Sequence, residues 1–552
     1  MKRISILIVA LISTWPLFSQ SKIDMYLKAD SLLSTDKPEA AEEYLIQLIR
    51  DNPHNEGYHY SLGEIYYNKG EFRNSIVHFK KAQEFGLEYR SNYFLAYNYM
   101  GINKPDSAIY YLTKHVVTPM NGNFLCEEAL YDTIFQGLHN LPEYIKLLPP
   151  EIIDSLNVTE NWIKDIEYLS LMLKNTHYDP FCKLNESDWD NAIEELKQDV
   201  QFLNNDQILV RIHQFVAMIG DGHTSVYSMK SNLPEKVLPI LTQVFSDGCY
   251  IVGAMDSYKE LLGAKIITVN GLDFESVYNT VSSVISVDNE MGFKNLFGWS
   301  FIRMNLVHGL GLSKSRDSLE ITYLLDSVEG KKTIQSVKTG ERSELVRYHA
   351  HYEKEYPLFL KNYHRGNRKS YWYKYITDEN ILYVQINGIT SLKDNPLPVF
   401  CDSINLLIDS LDISTFVLDI RNNSGGNTDL NKHILRVMLS DKINIKGKSF
   451  TVIGYKTFSA AQNLTTIIEN YTETIFIGER TASKPHFIGE TNPFTLPYSG
   501  LMVGSSNVFH QRGYSTDTRK WVAPDILVEF NFEHFKNGID PVIEEIINFA
   551  NK

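Results

Sequence analysis

The stretch Thr451–Tyr471, TVIGYKTFSAAQNLTTIIENY, decides how the chain is read. Thr451, Val452 and Ile453 have the character of a short buried strand. Leu464, Ile467, Ile468 and Tyr471 then recur at helical spacing, so a helix is predicted to begin near Ser459. A serine at such a hinge has two readings. Its hydroxyl can cap the helix, a position where serine is favoured. It can instead stand exposed as a nucleophile, beside first-turn amides that have no partners within the helix and can stabilise an oxyanion. Caps are far commoner, so the second reading needs a base and a further oxyanion donor from elsewhere in the chain.

Working outward, the flanking sequence alternates strands with helices. ILYVQING (381–388) reads as a strand, Phe400–Leu411 as a helix, and Phe416–Ile420 as a continuous buried strand next to the turn Arg421-Asn422-Asn423-Ser424-Gly425-Gly426-Asn427. After the hinge, Thr474–Gly478 is another buried strand leading into Glu479–Pro485. This pattern predicts an α/β domain with a largely wrapped sheet over residues 371–552.

Further upstream, LPILTQVF, GCYIVGA and GAKIITVNGLDFESV predict strands and turns, a β module over residues 233–340. Residues 159–232 are predicted to be helical. Trp162, Ile166, Leu169 and Leu173 share a helical face, Trp189–Phe202 follows, and Gln207–Ile219 ends in Gly220-Asp221-Gly222-His223-Thr224. Two glycines around a histidine make a sharp turn with the ring at a helix end. A lone histidine usually braces a structure, but this one lies in a turn built for close approach. Residues 341–370, rich in Tyr, His, Lys and Arg, are expected to be an exposed connector, and 119–158, with Pro119, Gly122 and Pro149-Pro150, a second one with some helix.

The amino-terminal part contains an internal period. EEYL (42–45), IVHF (76–79) and IYYL (109–112) end at steps of 34 and 33 residues. Residues 20–118 resemble tetratricopeptide repeats, helix pairs that stack because no pair buries its apolar face alone. Gly63 and Ala96 would allow close helix approach. The resemblance implies either a site for a protein partner or a structural spacer.

Composition bounds the function. A chain of 552 residues has room for three or more folding units. Its 43% hydrophobic and 22% charged residues are those of a soluble globular protein. With 53 basic and 67 acidic residues the net charge is −14, which argues against nucleic acid as the main partner. The opening MKRISILIVALISTWPLFSQ reads as a signal peptide over residues 1–19, since its apolar run from Ile4 to Ile12 is too short to span a bilayer comfortably. An exported protein, periplasmic or extracellular and with no membrane span, is the expectation. Cys126, Cys182, Cys249 and Cys401 are scattered without a CxxC pair, His213 and His223 are ten apart, and the His349–His351 pair lacks an HExxH-type motif. Neither a metal nor another cofactor is expected.

Taken together, eight blocks resemble the tail-specific, or carboxy-terminal processing, serine peptidases and their tricorn-like branch. They are GDGHT (220–224), GAKIITVNG (263–271), YWYKYITDENILYVQIN (371–387), VLDIRNNSGGN (417–427), KTFSAAQN (456–463), GERTASKPHFIGE (478–490), LPYSGLMV (496–503) and VAPDI (522–526). The resemblance implies a multidomain α and α/β chain: helical repeats, a helical segment, a degenerate PDZ-like module and a C-terminal ClpP/crotonase-like peptidase domain. It implies Ser459 as nucleophile, with Gly425, Gly426 and Ala460 forming the oxyanion hole. For the base it leaves two residues open. Lys484 lies 25 residues after Ser459, as in the tail-specific branch. His223 matches the tricorn-like histidine, although Gly222 precedes it in place of serine. LPYSGL and the Gly489-Glu490 pair tilt the choice to His223, with Lys484 in a supporting or substrate-binding role and Glu490 or Asp517 as a supporting carboxylate. The expected substrates are peptides or proteins. The competing readings are a catalytically silent scaffold that binds peptides or proteins, and a carrier of small apolar ligands like the family's retinoid-binding relatives. The aromatic content does not support the carrier, since aromatics are more often core.

Overall fold

A computed structural model describes residues 25, 28–29, 32–33, 38–86, 88–117, 132–145, 147, 157–228, 231–342, 345–363 and 368–550. The signal-peptide reading, Cys126 and Pro149-Pro150 lie outside them. The chain divides into two compact units, residues 1–150 and 151–552.

The first unit is helical. Helices run over Pro38–Asp51, Glu56–Asn68, Phe72–Glu84, Glu88–Gly101 and Pro105–Val117. Gly63 sits against the Phe79 ring, where a Cβ would come within 3.1 Å of the ring carbons. Ala96 is fully buried. Phe79 in turn stacks on Phe94 at 4.8 Å. A buried polar chain runs beside these contacts. Asn98 Nδ2 donates to Ser75 Oγ (3.0 Å), and Ser75 Oγ donates to the Gly63 carbonyl (2.8 Å). Satisfying polar groups this way lets the helices approach closely without the cost of stranded donors.

The second unit begins with the helices Val158–Thr176, Glu186–Asp199 and Asn205–Ile219. Asn157 and Glu160 form a reciprocal cap at the first of them, and Asn204 and Gln207 at the third. A seven-stranded antiparallel sheet follows, with Gly248–Ala254, Lys265–Val269, Ser318–Leu325 and Val328–Gln335 as successive neighbours. The last sheet holds the hinge. Its order is Tyr371–Ile376, Ile381–Ile386, Thr415–Asp419, Ser449–Ile453, Ile475–Gly478 and Ile526–Leu527. The first pair is antiparallel and the rest are parallel. Every residue of the Ile381–Ile386, Thr415–Asp419 and Ser449–Ile453 strands is buried, as expected of parallel strands covered on both faces.

Residues 341–370 depart from the expectation of an exposed connector. Tyr348, His349, Phe359 and Leu360 are buried. His349 stacks edge-on against Phe535 at 4.4 Å and its Nε2 donates to the Phe535 carbonyl at 2.7 Å. Tyr and His are amphipathic: their rings fill core while one polar atom finds a partner.

A candidate active site around Ser459

The Ser449–Ile453 strand reaches the Ala460–Tyr471 helix through Gly454–Phe458, and Ser459 is the residue at the turn. Its backbone has φ 56° and ψ −124°, a left-hand-side conformation that costs a non-glycine residue roughly 1–3 kcal/mol. The surroundings over-determine it. The Phe458 amide donates to the Asn423 carbonyl (3.1 Å), Ala461 to the Phe458 carbonyl (3.1 Å) and Asn463 to the Ser459 carbonyl (3.0 Å). Although Ser459 occupies the cap position, its side chain makes no capping bond. A strained serine with an idle hydroxyl, between a buried strand and a helix, has the geometry of a nucleophile elbow.

The glycine turn lies directly against it. A Cβ on Gly425 would fall 2.7 Å from Ser459 Cβ and 3.1 Å from the Ala460 nitrogen, so no other residue fits there without moving the serine. Gly425 and Gly426 both have positive φ, 115° and 136°. The amide of Gly425 is already engaged, donating to Asn423 Oδ1 at 2.9 Å. Its carbonyl accepts from Ile389, and the Ile389 carbonyl accepts from Asn427. The amides of Gly426 and Ala460 make no hydrogen bond among the described residues. Of the three residues expected to bind an oxyanion, two thus have an amide free to donate, while the Gly425 amide is taken by Asn423 and its missing side chain leaves room for Ser459.

His223 comes to this hinge from a distant part of the chain. The strand after it, Ser225–Tyr227, pairs with Met502–Ser505. Gly220 ends the preceding helix in the left-handed region, at φ 79°. Buried Asp221 then organises the turn. It accepts from the amides of His223 (2.9 Å) and Thr224 (2.7 Å), from Ser506 Oγ (2.6 Å), and pairs with His177 Nε2 (2.8 Å). Burial alone would raise the Asp221 carboxyl; the bonds from His177, Ser506 and Thr224 outweigh it and bring the pKa down to about 2. The His223 ring packs parallel to Phe458 at 4.3 Å and to Phe487 at 5.4 Å. Both ring nitrogens are shielded and without a hydrogen-bond partner. Burial pulls its pKa down to about 4; the Asp221 and Glu490 carboxylates oppose this and His510 assists it. These surroundings favour the neutral imidazole of His223 near pH 7. The absence of a serine before it has a steric cause, because a Cβ on Gly222 would lie 2.8 Å from the Phe458 ring.

The remaining predicted residues separate. Lys484 makes no ion pair or hydrogen bond among the described residues, and its charge acts on Asp288, Lys183 and Cys182, on the Gly222 side of the turn. There Asp288 Oδ1 accepts from the Gly222 amide (2.9 Å), while burial, with the Asp221 charge, raises its pKa to about 6. No hydrogen bond joins Ser459 to either His223 or Lys484 in this structure. Asp517 is committed to Arg519, which also holds Glu469 at 2.7 Å. Glu490, itself at φ 55°, has Oε1 3.6 Å from His510 Nε2.

His510 has no counterpart among the sequence-predicted residues. It lies on Val508–Gln511, paired with His486–Gly489 so that Phe487 and His510 are opposite. Its ring stacks on Phe487 at 4.9 Å, and its Nδ1 is 3.4 Å from Asn463 Nδ2 on the serine helix. No flanking motif marks it, and its carboxylate partner is 20 residues away in sequence. The hairpin register brings them together.

A separate shallow depression lies at the carboxyl ends of the parallel strands, lined by Arg421, Tyr455, Lys456, Glu479 and Phe530 among others; Ser459 is not in its wall. Among the described residues, no group of three or more His, Cys, Asp or Glu is arranged to hold a metal ion, Cys182, Cys249 and Cys401 are free, and no helix is long and apolar enough to cross a membrane.

No protein-family profile matches the sequence, and no curated protein matches it. Solved structures do. Mature CPAF complexed with lactacystin superposes with a TM-score of 0.52 and 12% identity, over 71% of this chain and 99% of its own. The fold is shared with CPAF. The photosystem II D1 C-terminal processing protease (TM-score 0.35, 12% identity, 72% of this chain and 98% of its own) superposes more loosely. So does the S41 protease described from Bacteroides fragilis (TM-score 0.32, 14% identity, 73% of this chain and 98% of its own).

Proposed function

We propose that this chain is a serine peptidase of the tail-specific type, hydrolysing peptide bonds of peptide or protein substrates through an acyl-enzyme on Ser459. The observation that carries the reading is Ser459 itself: strained backbone, uncapped hydroxyl, and free amides on Gly426 and Ala460 beside it. Ser459 Oγ attacks the carbonyl, neutral His223 takes its proton, and the two amides hold the oxyanion without reorganising. Gly425 provides the room for this geometry. Lys484, whose charge reaches Asp288 beside the Gly222 turn, supports the site or binds substrate. The Glu490 carboxylate favours the charged form of the His223 imidazole. The seven-stranded β module, in its PDZ-like reading, takes an extended peptide as an added strand, and the amino-terminal helices, in their repeat reading, engage a protein partner. Export, to a periplasmic or extracellular location, remains part of the proposal.

Turnover of unfolded protein or a peptide library tests the reading. Cleavage that is present in wild type and lost in Ser459→Ala is expected, and cleavage that survives the substitution would end it. One observation favours a second reading, a catalytically silent peptide-binding scaffold: no base is hydrogen-bonded to Ser459. That reading requires binding without turnover in wild type and unchanged binding in Ser459→Ala.

A further inference from the structure

The β module sends two consecutive buried residues back to the candidate site, Asp288 and Asn289, between the helices Phe274–Ser282 and Glu290–Phe301. Asp288 Oδ1 accepts from the Gly222 amide and so holds the turn that carries His223. Asn289 engages its whole side-chain amide. Its Oδ1 accepts from the Met291 amide (3.0 Å) and caps the Glu290–Phe301 helix. Its Nδ2 donates to the Thr481 carbonyl (3.1 Å) and to the Lys520 carbonyl (2.7 Å). An asparagine supplies one acceptor and two donors at this reach; serine and alanine do not, and an ionised aspartate has no donor.

Thr481 leads on to the serine. Its amide donates to the Val522 carbonyl (3.2 Å) and its hydroxyl accepts from the Val522 amide (3.0 Å), which closes the seam beside Lys520. The next residue, Ala482, donates its amide to the Thr457 carbonyl (3.0 Å), two residues before Ser459. Lys484 lies two residues further along the same loop. The Glu290–Phe301 helix makes a second attachment through Lys294, which pairs with Glu479 and stands over the Tyr455 ring at 4.7 Å. The Glu479 amide in turn donates to the Ile453 carbonyl (3.1 Å), at the end of the strand that leads to the elbow. Toward its carboxyl end the helix is fixed in the β module. Phe297 and Phe301 are fully buried, and a Cβ on Gly298 would fall 2.6 Å from the Thr242 carbonyl oxygen, on the strand Ile240–Phe245.

Resting on the serine-peptidase reading, we propose that Asn289, together with Asp288 and Lys294, positions the reaction: the three hold the His223 turn and the Glu479–Lys484 loop in register with Ser459. They act through those segments and not on the reacting atoms. Both candidate bases, His223 and Lys484, sit on segments held in this way, so the role is the same whichever of them takes the Ser459 proton. The β module is then part of the catalytic frame, in addition to any peptide it takes. The expected sensitivity is high, because a misplacement of about 1 Å can cost roughly 10²-fold in rate. Asn289 is the centre of the clamp, since its one amide joins the helix cap to two strand-end loops of the α/β domain.

Asn289→Ser tests the role, because serine can still cap the helix but does not reach the Thr481 and Lys520 carbonyls. On a peptide substrate its kcat is expected to fall by roughly 10-fold to 10²-fold with KM changed by less than about threefold, and labelling of Ser459 by a fluorophosphonate should slow in parallel. Lys294→Met gives up the pair with Glu479 and keeps the length of the side chain; it should show the same split with a smaller loss. Asn157→Ala is the control. It removes the cap of Val158–Thr176, a helix that carries none of the three residues, and should lower the urea midpoint while leaving kcat within about twofold of wild type. An unchanged kcat in folded Asn289→Ser, or an equal loss of kcat in Asn157→Ala, would overturn the assignment. If Asn289→Ser does not fold, Lys294→Met decides, and an unchanged kcat there overturns it. If wild-type turnover and labelling are absent, or survive Ser459→Ala, it is the serine reading that fails.

Discussion

The turn at Gly220–Thr224 and the hairpin of His486–Gly489 with Val508–Gln511 each bring one histidine to Phe487, and they build opposite environments around it. The turn spends its carboxylate on backbone: Asp221 fixes two amides, Ser506 and His177, and leaves His223 in an aromatic setting that disfavours charge. The hairpin does the reverse, placing Glu490 on His510 and leaving the backbone strained. One residue type thus meets two surroundings because the carboxylate is aimed at the main chain in one case and at the ring in the other.

The largest effect that would break this comparison is on the base. His223→Ala is expected to lower kcat by about 10²-fold to 10⁴-fold, and Lys484→Ala by clearly less, in the same peptide assay. A reversed order would transfer the base to Lys484. Next comes the steric claim. Gly222→Ser adds a Cβ 2.8 Å from the Phe458 ring and a hydroxyl beyond it, and it is expected both to reduce activity and to destabilise the fold by about 1–3 kcal/mol in urea titration. Unchanged stability and activity would show that the ring yields.

The pH dependence follows from the depressed histidines. His223 is lowered by burial from 6.5 to about 4 and His213 likewise to about 3. Between those values and 6.5 the unfolded chain binds more protons than the folded one, so stability falls as the pH drops through this window. Urea midpoints at pH 7 and pH 5 read this directly, and an equal midpoint would contradict it. With His223 as base, the acid limb of kcat/KM should lie near 4, not 6.5, since activity is lost when the base is protonated. Smaller still, Asp288→Asn should stabilise the protein at pH 7, on the order of 1 kcal/mol. The carboxylate is ionised there against a folded pKa raised by burial and by Asp221, and an amide oxygen can still accept from Gly222.

How far the sequence spoke for itself differs along these same two segments. The strand before Ser459 and the helix after it follow from hydrophobic spacing, which local sequence carries. The strained backbone at Ser459 does not, because the room for it depends on Gly425, in a turn 34 residues earlier, where a Cβ would fall 2.7 Å from that of Ser459. The motif around His223 was legible, yet the reason for Gly222 was not, since the Phe458 ring that fills its space is remote in sequence. His510 left no signal at all; its place against Phe487 is made by hairpin register. The burial of Tyr348 and His349 is illegible in local sequence for a related reason. Their aromatic partners, Phe532 and Phe535, belong to the carboxyl-terminal part of the chain. The period in the first unit pointed to stacked helices, and Gly63 does allow the close approach to Phe79 expected of it.

The central claim is that Ser459 is an activated nucleophile, and a fluorophosphonate probe reads it without knowledge of the substrate. Peptide mapping of the labelled protein is expected to find the adduct on Ser459, with no labelling of Ser459→Ala. Equal labelling of the two proteins, or none of the wild type, would contradict the account.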